Sequence, residues 1–232
     1  VTITCPNPDR YHIYGLSNEE VPGSLDGSTV LNITNSCVFA GAITGGGLLT
    51  KAGSGSLTLT GTSTATGAVS VAAGTFGVAS NGRATLGSVG VLSGATLFGH
   101  GQVGGNVIVA SNAWLQGGTV AACGSLAVGG DLTLLPGVRL AWRYAAGASN
   151  DTVTVGGLLS FPTNGTVQVS TLTADLMPPS RALFFSSEQP VNGPADLTGW
   201  TVAGVQNASL RYSDDRTKIY FFTPRGTLIL LH

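Results

Sequence analysis

Charge is what this chain has least of. Asp, Glu, Lys and Arg together make up 9% of its 232 residues, eleven acids against ten bases, and from Gly27 to Gly130 there is not one Asp or Glu. Glycoside hydrolysis needs a pair of carboxylates, and calcium-assisted elimination needs several carboxylates plus a base; that long stretch provides neither set. With a net charge of −1 and scattered bases, nucleic acid and anionic membranes have no electrostatic footprint to bind. Glu, Lys, Gln and Met are scarce, and no long stretch spaces apolar residues for one face of a helix, so a helical repeat is excluded. No apolar run approaches the ~18 residues of a membrane-spanning helix, and a soluble chain is expected. Cys5, Cys37 and Cys123 show no paired CxxC spacing, which excludes a zinc knuckle and allows at most one bridge. A Cys5–Cys37 bridge and buried reduced thiols both fit. There is no GxSxG elbow, no HExxH and no phosphate loop. The chain starts at Val1 without a basic region or an apolar leader, as expected of a mature segment or a fragment.

What is abundant is Gly, 35 residues spread between short apolar strands. A Gly-punctuated apolar pair returns about every nineteen residues, as Val69/Val71, Val89/Val91, Val107/Val109 and Leu126/Val128, with onset steps of 20, 18 and 19. A period of this size indicates a solenoid of stacked rungs. The phrase Ala72-Ala73-Gly74-Thr75-Phe76 recurs as Leu92-Ser93-Gly94-Ala95-Thr96-Leu97 and Ala110-Ser111-Asn112-Ala113-Trp114-Leu115. A fourth copy, Leu135-Pro136-Gly137-Val138-Arg139-Leu140, reads as displaced by an inserted strand. Asn at the position of Gly74, Gly94 and Gly137 predicts a corner with positive φ, because Asn tolerates that conformation best after Gly. Ser56-Leu57-Thr58-Leu59-Thr60 alternates hydroxyls and aliphatics, the signature of a strand with one buried face.

Three regions are expected. Residues 1–36 read as an N-terminal cap or the trailing part of an upstream region. Residues 37–170 are the coil, with roughly seven rungs between Phe39 and Val169 at about 4.8 Å per rung. Residues 171–232 read as a β-rich capping segment, in which Ser213-Asp214-Asp215-Arg216-Thr217 is the tip of a hairpin. Such a cap would cover strand edges that otherwise invite aggregation.

Gly47-Leu48-Leu49-Thr50-Lys51-Ala52-Gly53-Ser54-Gly55-Ser56-Leu57-Thr58-Leu59-Thr60-Gly61, followed by Thr66-Gly67-Ala68-Val69-Ser70-Val71-Ala72-Ala73-Gly74-Thr75, closely resembles the autotransporter-associated β-strand repeat of bacterial surface and secreted proteins. Gly94–Val107 and Leu126–Leu134 carry further matches, so the likeness covers about residues 37–170. The resemblance implies an all-β fold, a right-handed parallel β-helix, exported from a bacterium and displayed at or released from the cell surface. It implies no particular chemistry. A full autotransporter ends in a membrane barrel; Arg225–His232 is too short for one. Export by another route, or excision from a longer protein, is the expectation.

Within the carboxylate-free stretch the ionisable groups besides Cys37 and Cys123 are Lys51, Arg83 and His100. Lys51 reads as a solvated turn residue and His100, between glycines, as an exposed corner. Asp131, Asp151, Arg139 and Arg143 lie further along the coil; Asp131 is expected to close a turn and Asn150-Asp151 to head a loop. Gly99-His100-Gly101-Gln102-Val103-Gly104 matches the dinucleotide fingerprint but leads into the apolar strand Val107-Ile108-Val109, so no helix N-terminus would hold a pyrophosphate. Gly129-Gly130-Asp131 occurs once, whereas calcium-binding repeats need stacked copies. No catalytic, cofactor or metal residue is assigned. The expected function is a non-catalytic stalk or adhesive rod, with host or environmental glycans or other surface proteins as partners. If the rod is adhesive, Trp114 and Trp200 are the candidate aromatic contacts, with burial in core or cap the favoured state of each. A monomer and end-to-end self-association both fit. The rival reading is a carbohydrate-active enzyme or carbohydrate-binding module on the same scaffold.

Overall fold

The computed structural model describes residues 2–4, 28–39, 43–79, 83–84, 86–119, 121–173 and 178–223. Among them the regular structure is strand throughout, apart from one 3-10 turn at Ala146–Ala148. Short runs of Val, Leu and Thr form strands of about four residues because β-branched and aliphatic side chains suit a pleated, half-buried surface. Glycines end them. In Ser56–Leu59 and Asn106–Val109 burial alternates residue by residue, as the sequence pattern predicts.

Each circuit of the chain lays one strand on each of three sheets. Ala68–Val71 joins the first sheet, Thr75–Val78 the second and Arg83–Ala84 the third, before Ser88–Val91 returns to the first. Pairing between successive circuits is parallel, giving an all-β, solenoid-like stack. Identical inward positions therefore sit above one another. In the first sheet Leu49, Val69, Val89, Val107, Leu132 and Leu159 form one such column; in the second, Leu57, Phe76, Leu97, Leu115, Leu140 and Val167 form another. All are buried in one continuous core. Burying each such side chain stabilises the fold by roughly 1.5–3 kcal/mol before the entropy of ordering is charged against it.

The expected corner is present in all four copies: Gly74, Gly94, Asn112 and Gly137 have φ of 65°, 82°, 60° and 80°. Three of these corners also stack by hydrogen bonds. The Gly94 N–H donates to the Asn112 carbonyl (3.2 Å), Asn112 to Gly137 (3.0 Å) and Gly137 to Asn164 (3.2 Å).

The period differs from the sequence reading at its third step, after Val107. The pair equivalent to Val107/Val109 is Leu132/Leu134, not Leu126/Val128, which lies in the third sheet beside Gln102–Val103. Counted along the first-sheet column from Leu49, the steps are 20, 20, 18, 25 and 27 residues. The lengthening comes from the loop after Gly117 and from longer later strands such as Val138–Ala145. Leu132–Leu134 is thus a repeat member and no insertion.

Toward the C-terminus the pairing changes sense. Lys218–Phe222 runs antiparallel to both Arg181–Ser187 and Ser209–Tyr212, and the last two strands form the expected hairpin around Asp214-Asp215. Beneath it the core becomes aromatic: Trp142 stacks on Phe221 with centroids 4.4 Å apart, and Phe161 on Trp200 at 4.5 Å. The Cys5–Cys37 pairing, most of the N-terminal region and the tail from Pro224 lie outside the described residues.

Candidate functional site

Lys51 occupies an inward position of the first sheet, in register with Leu31 on one side and Val71 on the other. It is fully buried and not a solvated turn residue. Its ammonium donates to three backbone carbonyls, Gly53 (2.7 Å), Gly55 (2.5 Å) and Ala73 (2.8 Å), which belong to the corners of two successive circuits. The alternation of the strand decides its direction, and the length of the side chain lets its head reach the corner carbonyls, of which Gly55 also accepts from the Thr75 N–H (3.1 Å). Burial pulls its pKa from 10.5 down to about 8. With all three donors engaged and no approach from solvent, it is a brace between circuits and not a base.

Asp151 is likewise buried and does not head an open loop. Arg143, eight residues earlier, pairs with it through Nε to Oδ2 (2.7 Å) and Nη2 to Oδ1 (3.2 Å). The turn at Ala146–Ala148 folds the chain back so that Ser149–Asn150 pairs antiparallel with Tyr144 and Ala145, which brings the two side chains together. The remaining guanidinium donors go to the carbonyls of Thr119, Gly117 (3.0 Å) and Ala122 (3.3 Å), and Asp151 also accepts from the Gly124 N–H (3.1 Å). Burial raises the Asp151 pKa from 3.8 to about 6 against the lowering effect of Arg143. Besides binding each other, the two side chains hold Gly117, Thr119, Ala122 and Gly124. Cys123, beside it, donates from Sγ to the Arg143 carbonyl (3.6 Å), and burial together with the Asp151 charge raises its thiol pKa, the reverse of what a nucleophile needs.

Of the other candidates, His100 meets this pair indirectly, through Gly124, whose N–H Asp151 holds. Asp131, expected to close a turn, accepts at Oδ1 from the Leu158 N–H (2.8 Å), while its own N–H donates to Asn106 Oδ1 (2.9 Å), so its bonds link three successive circuits. His100 is half-buried, not an exposed corner, because Gly124 of the next circuit packs directly against its Cβ. Arg83 lies in register with Gln102. Arg139 sits over the half-buried Trp114 ring at 5.7 Å, and Trp200 is buried with its indole N–H donating to the Pro162 carbonyl (3.0 Å). Asp215 accepts from Ser213 Oγ and the Thr217 N–H at the hairpin tip, and these bonds lower its pKa to about 2. Gly101–Val103 does run toward the strand Asn106–Val109 and into no helix. Among the described residues, no three His, Cys, Asp or Glu side chains gather as a metal-binding set, and no helix is long and apolar enough to cross a membrane.

A site the candidate list missed lies on the outer face of the third sheet. Gln102, Ala127, Thr154 and Ser186 stand in register across four strands and floor an open groove of about 510 Å³, with Val155, Gly156, Ser187 and Glu188 along one side. Its floor presents an amide, two hydroxyls and a methyl, a surface suited to hydrogen bonding with a polar polymer and lacking any paired carboxylates. Outward polar residues alternating with Val were legible in the sequence; which of them share a row depends on the register of circuits of unequal length, which was not.

No family model and no curated protein matches this chain.

Proposed function

We propose that this chain is a non-catalytic segment of a bacterial surface or secreted protein, a right-handed parallel β-helix of the autotransporter-associated repeat type that acts as a stalk or an adhesive rod. The right-handed turn follows from the general preference of parallel strand crossovers. The antiparallel strands Arg181–Ser187, Lys218–Phe222 and Ser209–Tyr212 serve as its C-terminal cap, and the location is extracellular or at the cell surface. The observation that carries the non-catalytic reading is the commitment of Asp151 to Arg143: the one buried carboxylate of the described coil is bonded to a guanidinium that also holds three carbonyls. Support for the rod comes from the aliphatic columns that repeat from circuit to circuit while the outward rows vary, with hydroxyls at Thr58, Ser70 and Thr133 beside Gly90 and the exposed Ile108. A glycan-binding screen run beside reducing-sugar and unsaturated-product assays on a polysaccharide panel tests the reading. Binding without turnover, or silence in both, is the expected result; reproducible turnover that is lost in Asp131→Asn or Asp151→Asn would replace it with a carbohydrate-active enzyme.

A further inference from the structure

The outer face of the third sheet changes chemistry along its length. Ser186, the last residue of the groove floor, is paired across the strand with Lys218, whose side chain is exposed. Moving away from Glu188 along the same strands, the next outward rows are Leu183, Tyr220 and Arg211, then Arg181, Phe222 and Ser209. Arg181 and Arg211 are both exposed. The Arg181 guanidinium lies over the Tyr220 ring at 3.9 Å and within 5.8 Å of Phe222, and Arg211 lies over Phe222 at 5.1 Å. Neither guanidinium makes an ion pair or hydrogen bond to a described residue.

A guanidinium laid on an aromatic face keeps its in-plane N–H donors directed outward and gives up much of its rotamer freedom before any ligand arrives. Two such groups, with the exposed Lys218 in the neighbouring outward row, form a preorganised receiver for oxyanions. Arg181, Arg211 and Lys218 are the cations of these rows, while Asp214 and Asp215 lie beyond Lys218 at the hairpin tip, where Asp215 accepts from Ser213 and Thr217. The adjoining groove supplies hydroxyl and amide groups and no ring to stack a base. An oxyanion next to a run of hydroxyls is the pattern of an acidic sugar chain. A nucleic acid would call for free aromatic faces, and here the rings are already covered.

We propose that the outer face of the third sheet, from Gln102, Thr154 and Ser186 to Lys218, Arg181 and Arg211, binds an acidic polysaccharide, its carboxylate or sulfate groups held by the two stacked guanidiniums. This rests on the non-catalytic adhesive reading above and specifies its ligand. The test is a titration of the full chain with polygalacturonate, dextran sulfate, neutral dextran, phosphatidylserine vesicles and duplex DNA at two salt concentrations. Both acidic glycans, or one of them, bind in a salt-sensitive manner; Arg181→Gln with Arg211→Gln weakens that binding by about tenfold or more, and Arg181→Lys with Arg211→Lys weakens it less, since charge remains but the planar fork is lost. Thr154→Arg in the groove changes affinity for the polymer but not for a monosaccharide uronate. Thermal melts of each variant, required to match the parent, separate lost binding from lost fold. Equal binding of neutral dextran, binding untouched by both pairs of Arg variants, or tighter binding of vesicles or DNA would each overturn the proposal while leaving a non-catalytic rod intact. Cleavage of the acidic glycan would overturn the non-catalytic reading, whichever groups hold the chain.

Discussion

The circuits before Val107 and those after it solve the same packing problem by different means. The earlier ones are 18 to 20 residues long, are closed by Gly corners and, among the described residues, contain no carboxylate at all. The later ones take 25 and 27 residues, and their extra chain is secured by the Arg143–Asp151 pair and by aromatic packing around Trp142, Phe161, Phe184 and Phe221. A tight rung is held mainly by backbone hydrogen bonds and aliphatics, with Lys51 the long polar side chain that serves its corners, because those corners bring neighbouring circuits into direct contact. A wider rung has loop carbonyls to satisfy and more volume to fill, and these demands call for long polar and large apolar side chains.

The sharpest way to break this contrast is to remove the clamp. Arg143→Met should cost about 3–5 kcal/mol, because it leaves a buried carboxylate without its counter-charge and takes the guanidinium donors from the Gly117 and Thr119 carbonyls; chemical denaturation measures it, and a loss below about 1 kcal/mol would mean the long circuits are held by aromatic packing alone. Next comes the tight corner. A Cβ at Gly74 would collide with the Gly55 carbonyl, at positive φ, so Gly74→Asn is expected to cost about 2–3 kcal/mol by the same assay.

Lys51→Met should cost about 1–3 kcal/mol by orphaning carbonyls at two corners, a loss partly offset by relief of charge burial. It has a second signature in pH. The folded chain releases the Lys51 proton near pH 8 and the unfolded chain near 10.5, so between those values the unfolded state binds more protons and the contribution of Lys51 to stability rises with pH. Denaturation midpoints at pH 7.5 and 10 should show that increment in the parent and lack it in Lys51→Met. The smallest effect is expected at Gly94→Asn. Nothing lies within 4 Å of a Cβ there, and Asn112 already holds the equivalent place with φ of 60°, so a change under about 0.5 kcal/mol is anticipated. The pair of Gly→Asn variants thus measures how much of a corner's cost is contact and how much is conformation.

The same contrast explains what the amino-acid order disclosed. Short-range signals carried the strands, the corner and the hairpin, because alternation in Ser56–Leu59 and the Gly-to-Asn exchange at residue 112 are local. Leu126/Val128 misled because the loop after Gly117 shifts the register without altering the look of the strands. Lys51 sat in plain view at an inward place of an alternating strand, yet its charge argued for solvent; only the stacked corners show three carbonyls waiting for it. Arg143 and Asp151 are close in sequence, but their union depends on the chain reversing at Gly147, which adopts φ of 77°. The groove and the ring-stacked arginines could not be read, since both are built from strands whose neighbours are fixed only by assembly.

The exact register of the aliphatic columns makes length a countable quantity. Val69 and Val89 hold equivalent places twenty residues apart, so excising 69–88 would join Ala68 to Val89 and hand each strand a new neighbour of the same kind. Reach can thus be gained or given up in strides of about 4.8 Å by copying or dropping one turn of the spool, a ruler whose smallest mark is a complete revolution.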